Sequence, residues 1–203
     1  MTAQADGLLL SDNTISYVIK QGIYMVRAEN STISNNTINN VDGNGFRLFS
    51  ANFTSVFEND VADCTGDGFY LNSGINTTIH WNSVTNVSEY AVNLESPTAN
   101  YSIKYNTFQD NGATCQVYDD GTSNIVSHNY YDDWNSPDAD ANGYVDTPYV
   151  FEGDSENQDE FPLAVAGVVP AEISNGLPME LILIAGAFGA IVIVTSLVLF
   201  KRR

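Results

Sequence analysis

The chain has 203 residues, with 25 acidic side chains against 7 basic ones and a net charge of −18. So negative a balance excludes nucleic acid and anionic lipid surfaces as partners, because phosphates would be repelled rather than neutralised. It suits a solvated surface protein or one that holds cations.

Residues 1–6 lack the charged start and apolar core of a secretion signal, and Leu8, Leu9 and Leu10 follow almost at once. A short pattern then recurs. Asn13, Asn36, Asn59, Asn82, Asn106 and Asn129 stand 23, 23, 23, 24 and 23 residues apart. Three residues before each lies an aliphatic (Leu10, Ile33, Val56, Ile79, Ile103, Val126). Two after each comes Ile15, Ile38, Val61, Val84, Phe108 or Tyr131. Val18, Val41, Cys64 and Val87 form a further column, and Ile23/Met25, Phe46/Leu48, Phe69/Leu71 and Val92/Leu94 follow as apolar pairs. A fixed period of this size is the mark of a solenoid whose repeats bury their apolar faces on their neighbours.

The apolar residues are spaced by two, as in strands with one buried face. Two mini-strands per repeat are expected, separated by polar turns and by Gly22, Gly45 or Gly68 (Ala91 in the fourth repeat), where glycine would supply a positive φ. Stacked in this way the coils make a parallel β-helix, with the asparagines forming a hydrogen-bonded ladder at a corner. A leucine-rich repeat is the rival. It wants Leu five residues before each Asn, where Ser31, Thr54, Thr77 and Tyr101 stand. The expected fold is all-β: a right-handed parallel β-helix of about six coils over residues 1–131. The extra residue between Asn82 and Asn106 belongs near Pro97, and the last coil is blurred by Gln116 and Tyr118 at apolar positions. The first coil has no cap, so the expectation is either further sequence upstream or a stacking partner. Cys64 and Cys115 fall two coils apart, too far for a disulfide, and Cys64 reads as a buried thiol.

The repeats, followed by Asn129-Tyr-Tyr-Asp-Asp-Trp134, the run Ser136 to Tyr149 and Asp159-Glu-Phe-Pro-Leu163, resemble the NosD-type proteins. That resemblance covers about residues 7–163. It implies a right-handed β-helix related in fold to pectate lyases and common on archaeal and bacterial cell surfaces. Copper handling, which the family name suggests, needs clustered soft or imidazole ligands. His80 and His128 fall in different columns and the methionines are scattered, so no copper site is expected.

Residues 132–163 read as an Asp-rich cap and 164–178 as a linker. Residues 179–203 read as an anchor: Leu181 to Phe200 is an uncharged apolar run ending in Lys201-Arg202-Arg203, long enough to cross a bilayer, with the basic tail on the cytoplasmic side.

Four candidate sites emerge. Asp138, Asp140, Asn142, Tyr144 (through its carbonyl) and Asp146 have the spacing of a calcium loop, but Tyr149 stands where such loops carry a bidentate Glu. Tyr24, Arg47 and Tyr70 form an outward column suited to sugar rings or anionic glycans; an ordinary cross-strand ladder is the plain alternative. Glu58, Trp81, Tyr105 and His128 form a second column, readable as corner packing. Sequons at Asn30, Asn35, Asn52, Asn76, Asn86 and Asn100 permit glycosylation outside the cell. Asp60, Asp63 and Asp67 lie within one coil and read as turn chemistry. With no acid–base pair repeated on an adjacent coil, the chain is expected to be a non-catalytic, membrane-anchored surface or adhesion module. The alternatives are a carbohydrate-active enzyme and a metal-handling accessory protein.

Overall fold

A computed structural model describes residues 2–3, 6–112, 114–153 and 157–170. The expected anchor, Leu181 to Phe200, lies outside the described residues, as does most of the linker. Among the described residues no helix is long and apolar enough to cross a membrane.

The coils form an all-β, right-handed parallel solenoid of about five turns. Each coil has three faces rather than the two mini-strands expected. The first face stacks Leu9–Ser11, Thr32–Ser34, Ser55–Phe57, Thr78–His80, Ser102–Lys104 and Ile125–Ser127 into a six-stranded sheet. The second begins just after each ladder asparagine and includes Asp60–Cys64, Ser83–Val87 and Thr107–Gln109. The third stacks Phe69–Asn72, Val92–Glu95 and Val117–Asp119. In the first two coils the strands Thr14–Val26 and Thr37–Phe49 run round from second face to third without interruption.

The extra face has a local cause. The residue before each ladder Asn (Asp12, Asn35, Glu58, Trp81, Tyr105, His128) has φ between 58° and 60° or at 54°. This left-handed residue turns the chain between the −3 aliphatic and the +2 aliphatic. The following Asn side chain braces the corner. Asn82 Nδ2, for example, donates to His80 O at 3.1 Å, to Val56 O of the preceding coil at 3.1 Å and to Asn106 Oδ1 of the next at 3.0 Å. Asn59 N and Nδ2 both donate to Asn82 Oδ1, at 2.9 Å each. The ladder is therefore as expected. The Ser and Thr positions that argued against a leucine-rich repeat form a lesser ladder: Leu8 N donates to Ser31 Oγ and Thr54 N to Thr77 Oγ1.

The glycine expectation is corrected. Gly22, Gly45 and Gly68 are not in the positive-φ region; they are required for room. A Cβ on Gly45 would strike the Val61 side chain and come within 2.9 Å of the Gly68 carbonyl oxygen. Gly45→Ala should therefore lower stability by about 2 kcal/mol through overpacking. A thermal melt unchanged by the substitution would show that the coils can simply shift apart.

The interior columns are as read. Ile33, Val56, Ile79 and Ile103 are fully buried, as are Phe46, Phe69, Leu48, Leu71 and Leu94, and the Phe46 and Phe69 rings stack with centroids 4.7 Å apart. The extra residue does fall near Pro97, since Asn72 pairs with Glu95 but Ile75 with Ala99. Both cysteines are free and buried; burial and the neighbouring Asp63 push the Cys64 thiol up to about 11.

The last coil corrects the sequence register. Val92 pairs with Val117 and Leu94 with Asp119, so Val117 and Asp119 point inward and Tyr118 outward. One added residue in the preceding loop flips the alternation. Asp119, fully buried, accepts from Gly121 N, Asn124 Nδ2 and Asn157 Nδ2. The segment beyond folds back over this coil, with Tyr149–Val150 and Gln158–Asp159 forming an antiparallel pair. Asp159 ends the asparagine ladder. Its carboxylate accepts from His128 N, Asn129 N and Phe161 N, each at 2.9 Å, and from the Tyr131 hydroxyl at 3.2 Å.

Candidate functional site

Within each strand of the third face, the residue between the two inward apolar positions points outward. Parallel pairing in register therefore lines up Tyr24, Arg47, Tyr70, Asn93 and Tyr118 across successive coils. A parallel bridge between Tyr118 and Glu152 adds Glu152 at the end of the row. The Arg47 guanidinium carbon lies 5.6 Å from the Tyr24 ring centre and 5.1 Å from that of Tyr70. The predicted trio is thus brought together, and three further residues extend it. Tyr118 escaped the sequence reading because of the register slip, and Glu152 because it arrives from the cap.

The geometry alters the chemistry expected of this column. Each tyrosine turns one ring face to the guanidinium, so the sandwich offers a sugar its hydroxyls and N–H edges rather than broad aromatic faces. Arg47 Nε is buried without a hydrogen-bond partner. Among the described residues the guanidinium has the two rings as partners and no carboxylate in ion-pairing range.

Beside the column lies a residue read from sequence as turn chemistry. Asp67 sits at the corner entering the third face and is only 6% exposed. Its backbone N–H donates to Asn44 Oδ1 at 3.0 Å, while its carboxylate accepts from Tyr90 N at 3.1 Å and Asn93 Nδ2 at 3.3 Å. Burial raises its pKa to about 6, with hydrogen bonds from Tyr90 and Asn93 opposing and the Glu89 and Glu95 charges reinforcing the rise. Burial also raises the Tyr70 hydroxyl, helped by Glu95 and Asp67 and opposed by Arg47. Asn93 Oδ1 is buried without a partner. Further along, the Tyr90 hydroxyl and Thr114 Oγ1 clamp the Glu152 carboxylate at 2.7 and 2.6 Å.

The second predicted column is corner packing. Trp81 and Tyr105 stack at 5.0 Å, Tyr105 meets His128 at 5.5 Å, and His128 meets Tyr144 at 5.3 Å and Phe161 at 5.4 Å. Here too the rings cover one another. A shallow groove of about 290 Å³ beside it, between the last first-face strand and the cap, is lined by Ile125, His128, Gln158 and Phe161 among others.

In the Asp-rich loop, Asp138, Asp140 and Asp146 each place a carboxylate oxygen within 4.8 Å of the others. The Asp138 oxygens accept from Asn142 N and Gly143 N, Asp140 from Asn142 N and Nδ2, and Asp146 from Ala139 N. Gly143, with φ +91°, makes the sharp turn of this loop. The Tyr144 ring packs on His128 and Phe161. Three oxygen donors so placed suit a hard cation; the same bonds also let the loop cap itself.

Of the sequon asparagines, Asn30, Asn76 and Asn100 share one exposed left-handed corner, and Asn35 and Asn86 occupy exposed left-handed positions at two others. Asn52 is half-buried, its amide donating to Glu29 at 3.3 Å and accepting from Ile75 N at 3.1 Å. The corners explain the sequons at Asn30, Asn35, Asn76 and Asn100: Asn tolerates the left-handed turn, and Ser or Thr suits the strand two residues on.

No curated protein and no solved structure matches the chain. A family profile described as "Right handed beta helix region" matches residues 2–133, the stretch in which the ladder, the three faces and the outward column are built. The chain belongs to the right-handed β-helix family.

Proposed function

We propose that this protein is a surface-displayed, non-catalytic β-helix whose third face binds a polysaccharide strand laid along the Tyr24–Arg47–Tyr70–Asn93–Tyr118 row. The observation that carries this reading is the row itself, aligned over five successive coils, in which Asn93 is buried and Tyr24, Arg47, Tyr70 and Tyr118 present polar edges. Strand spacing of about 4.8 Å sets these groups close to the repeat of a sugar chain. Glycan-array binding tests the idea. Tyr70→Phe, which removes one hydroxyl, should weaken binding about 3- to 10-fold, whereas Phe57→Ala on the first face should leave it unchanged. Equal losses in the two variants would move the binding surface elsewhere.

A second reading, a carbohydrate-active enzyme, is favoured by one observation: Asp67 titrates near neutrality beside Glu95 and Tyr70, and a tuned carboxyl of this kind suits acid–base chemistry. New reducing ends or unsaturated sugars, abolished by Asp67→Asn, would establish it.

The Asp-rich segment supports a NosD-type surface protein, and Leu181 to Phe200 a bilayer anchor that holds the coils outside the cell. Retention of the full-length native protein in the membrane pellet after alkaline carbonate washing tests the anchor. Ile15 and Val18 of the first coil are only half-buried, whereas Ile38 and Val41, their partners on the next coil, are buried, which supports a stacking partner there. The three-aspartate loop supports a structural calcium ion. Calcium should raise the melting temperature, and Asp138→Ala with Asp140→Ala should remove that rise; a melt indifferent to calcium and chelator rejects the site.

A further inference from the structure

We infer that Arg47 is the receptor for an anionic group, a carboxylate or sulfate ester, on the strand that the third face binds. This deepens the glycan reading and rests on it. An acidic protein surface normally pairs its few arginines. Arg47 is instead held between two tyrosines, with no carboxylate in ion-pairing range among the described residues and its Nε buried without a partner. A half-buried guanidinium left in this state lacks the charge-assisted bonds that usually offset its desolvation. The rings close its two planar faces, so an incoming group meets its edge, where the N–H fork matches two oxygens of a carboxylate or sulfate. The tyrosines orient the fork by stacking and add cation–π attraction without neutralising it.

The surrounding charges make the site sensitive to pH. The titratable groups grouped about Tyr70 are Asp67, Glu95 and Arg47 itself, with Glu89 beside Asp67 and Glu152 and Tyr90 further along. Burial holds Asp67 near pH 6. Below that pH it is neutral and its repulsion of an anion disappears. Binding of a sulfated sugar, which stays ionised throughout, therefore strengthens as pH falls from about 7.5 to 5.5, and Asp67→Asn removes the dependence.

The test compares three oligosaccharides of matched length (neutral, glucuronate-containing and sulfated) on the full chain and on Arg47→Met, which keeps the packed stem and loses the charge. Arg47→Met is expected to weaken the two anionic ligands about 10- to 100-fold and the neutral one, which loses only ordinary N–H contacts, by no more than about 3-fold. Arg47→Lys should recover only part of the loss. Anionic and neutral ligands bound equally by both proteins would overturn the inference while leaving the glycan surface standing. Titration of free glucuronate and sodium sulfate, read on the Arg47 side-chain N–H resonances, separates the remaining outcomes. Resonances that move while no oligosaccharide binds would keep the anion site and discard the glycan reading. Resonances that no anion moves would discard the anion site.

Discussion

Asp67→Asn is expected to make the protein more stable above neutral pH, by about 3 kcal/mol at most, while changing it little at pH 4. The carboxyl is raised from 3.8 to about 6 in the folded chain, chiefly by burial. The folded state thus binds this proton more tightly than the unfolded state. The contribution to stability is fully present below pH 3.8 and is lost as pH rises through about 6. Asparagine cannot ionise, so the variant escapes that loss. Its carbonyl can still accept from Tyr90 N, and once the Asn93 amide turns over, its NH₂ can donate to Asn93 Oδ1, which lacks a partner in the parent. Asp60 and Asp159 are also raised by burial, but both remain in the variant, so the difference between the two proteins isolates Asp67. Urea unfolding of both at pH 4 and pH 8 decides the matter. A gap of the same size at both values would mean that Asp67 is not desolvated in the native state. A residue that lowers stability once ionised is the kind expected at a binding or reacting surface.

The second large effect concerns the middle and the end of one ladder. Asn82→Asp should cost about 3–5 kcal/mol. Asn82 donates through Nδ2 to Val56 O, His80 O and Asn106 Oδ1, while its Oδ1 accepts two bonds from Asn59. A carboxylate would keep the acceptor and set a buried charge against three oxygens. At the cap the requirement is reversed. Asp159 faces four donors, so Asp159→Asn turns an NH₂ group toward N–H groups and should cost about 2–3 kcal/mol. The isosteric exchange thus harms the fold in both directions. Chemical denaturation of the two variants reads this directly, with Asn40→Asp at an exposed corner as the control that should be nearly neutral. An Asp159→Asn protein as stable as the parent would show that the cap does not depend on a charged terminus.

The 23-residue period alone determined much of this protein. In a solenoid, residues one period apart occupy equivalent places on successive coils. Recurring Ile, Val and Leu therefore identified the interior, the asparagines their ladder, and Tyr24, Arg47 and Tyr70 a shared outer row. The tertiary structure decided what the period leaves open. The first and second faces are separate because a left-handed residue precedes each ladder Asn, and residues as different as Trp81, Glu58 and His128 adopt that turn because the ladder holds them there. Gly45 looked like a turn residue and proved to be a clearance, since the sequence does not record how closely neighbouring coils approach. Tyr118 and Asp119 exchanged sides because one residue inserted before Val117 shifts that strand by half a pleat, and the register returns at Thr122. Asp67 joined the outer row, and Asp159 closed the ladder, through contacts between different positions of different coils, which a repeat unit read along the chain does not contain. Those contacts turn a row of equivalent positions into a surface with a guanidinium held between two rings, a buried carboxyl and a defined end.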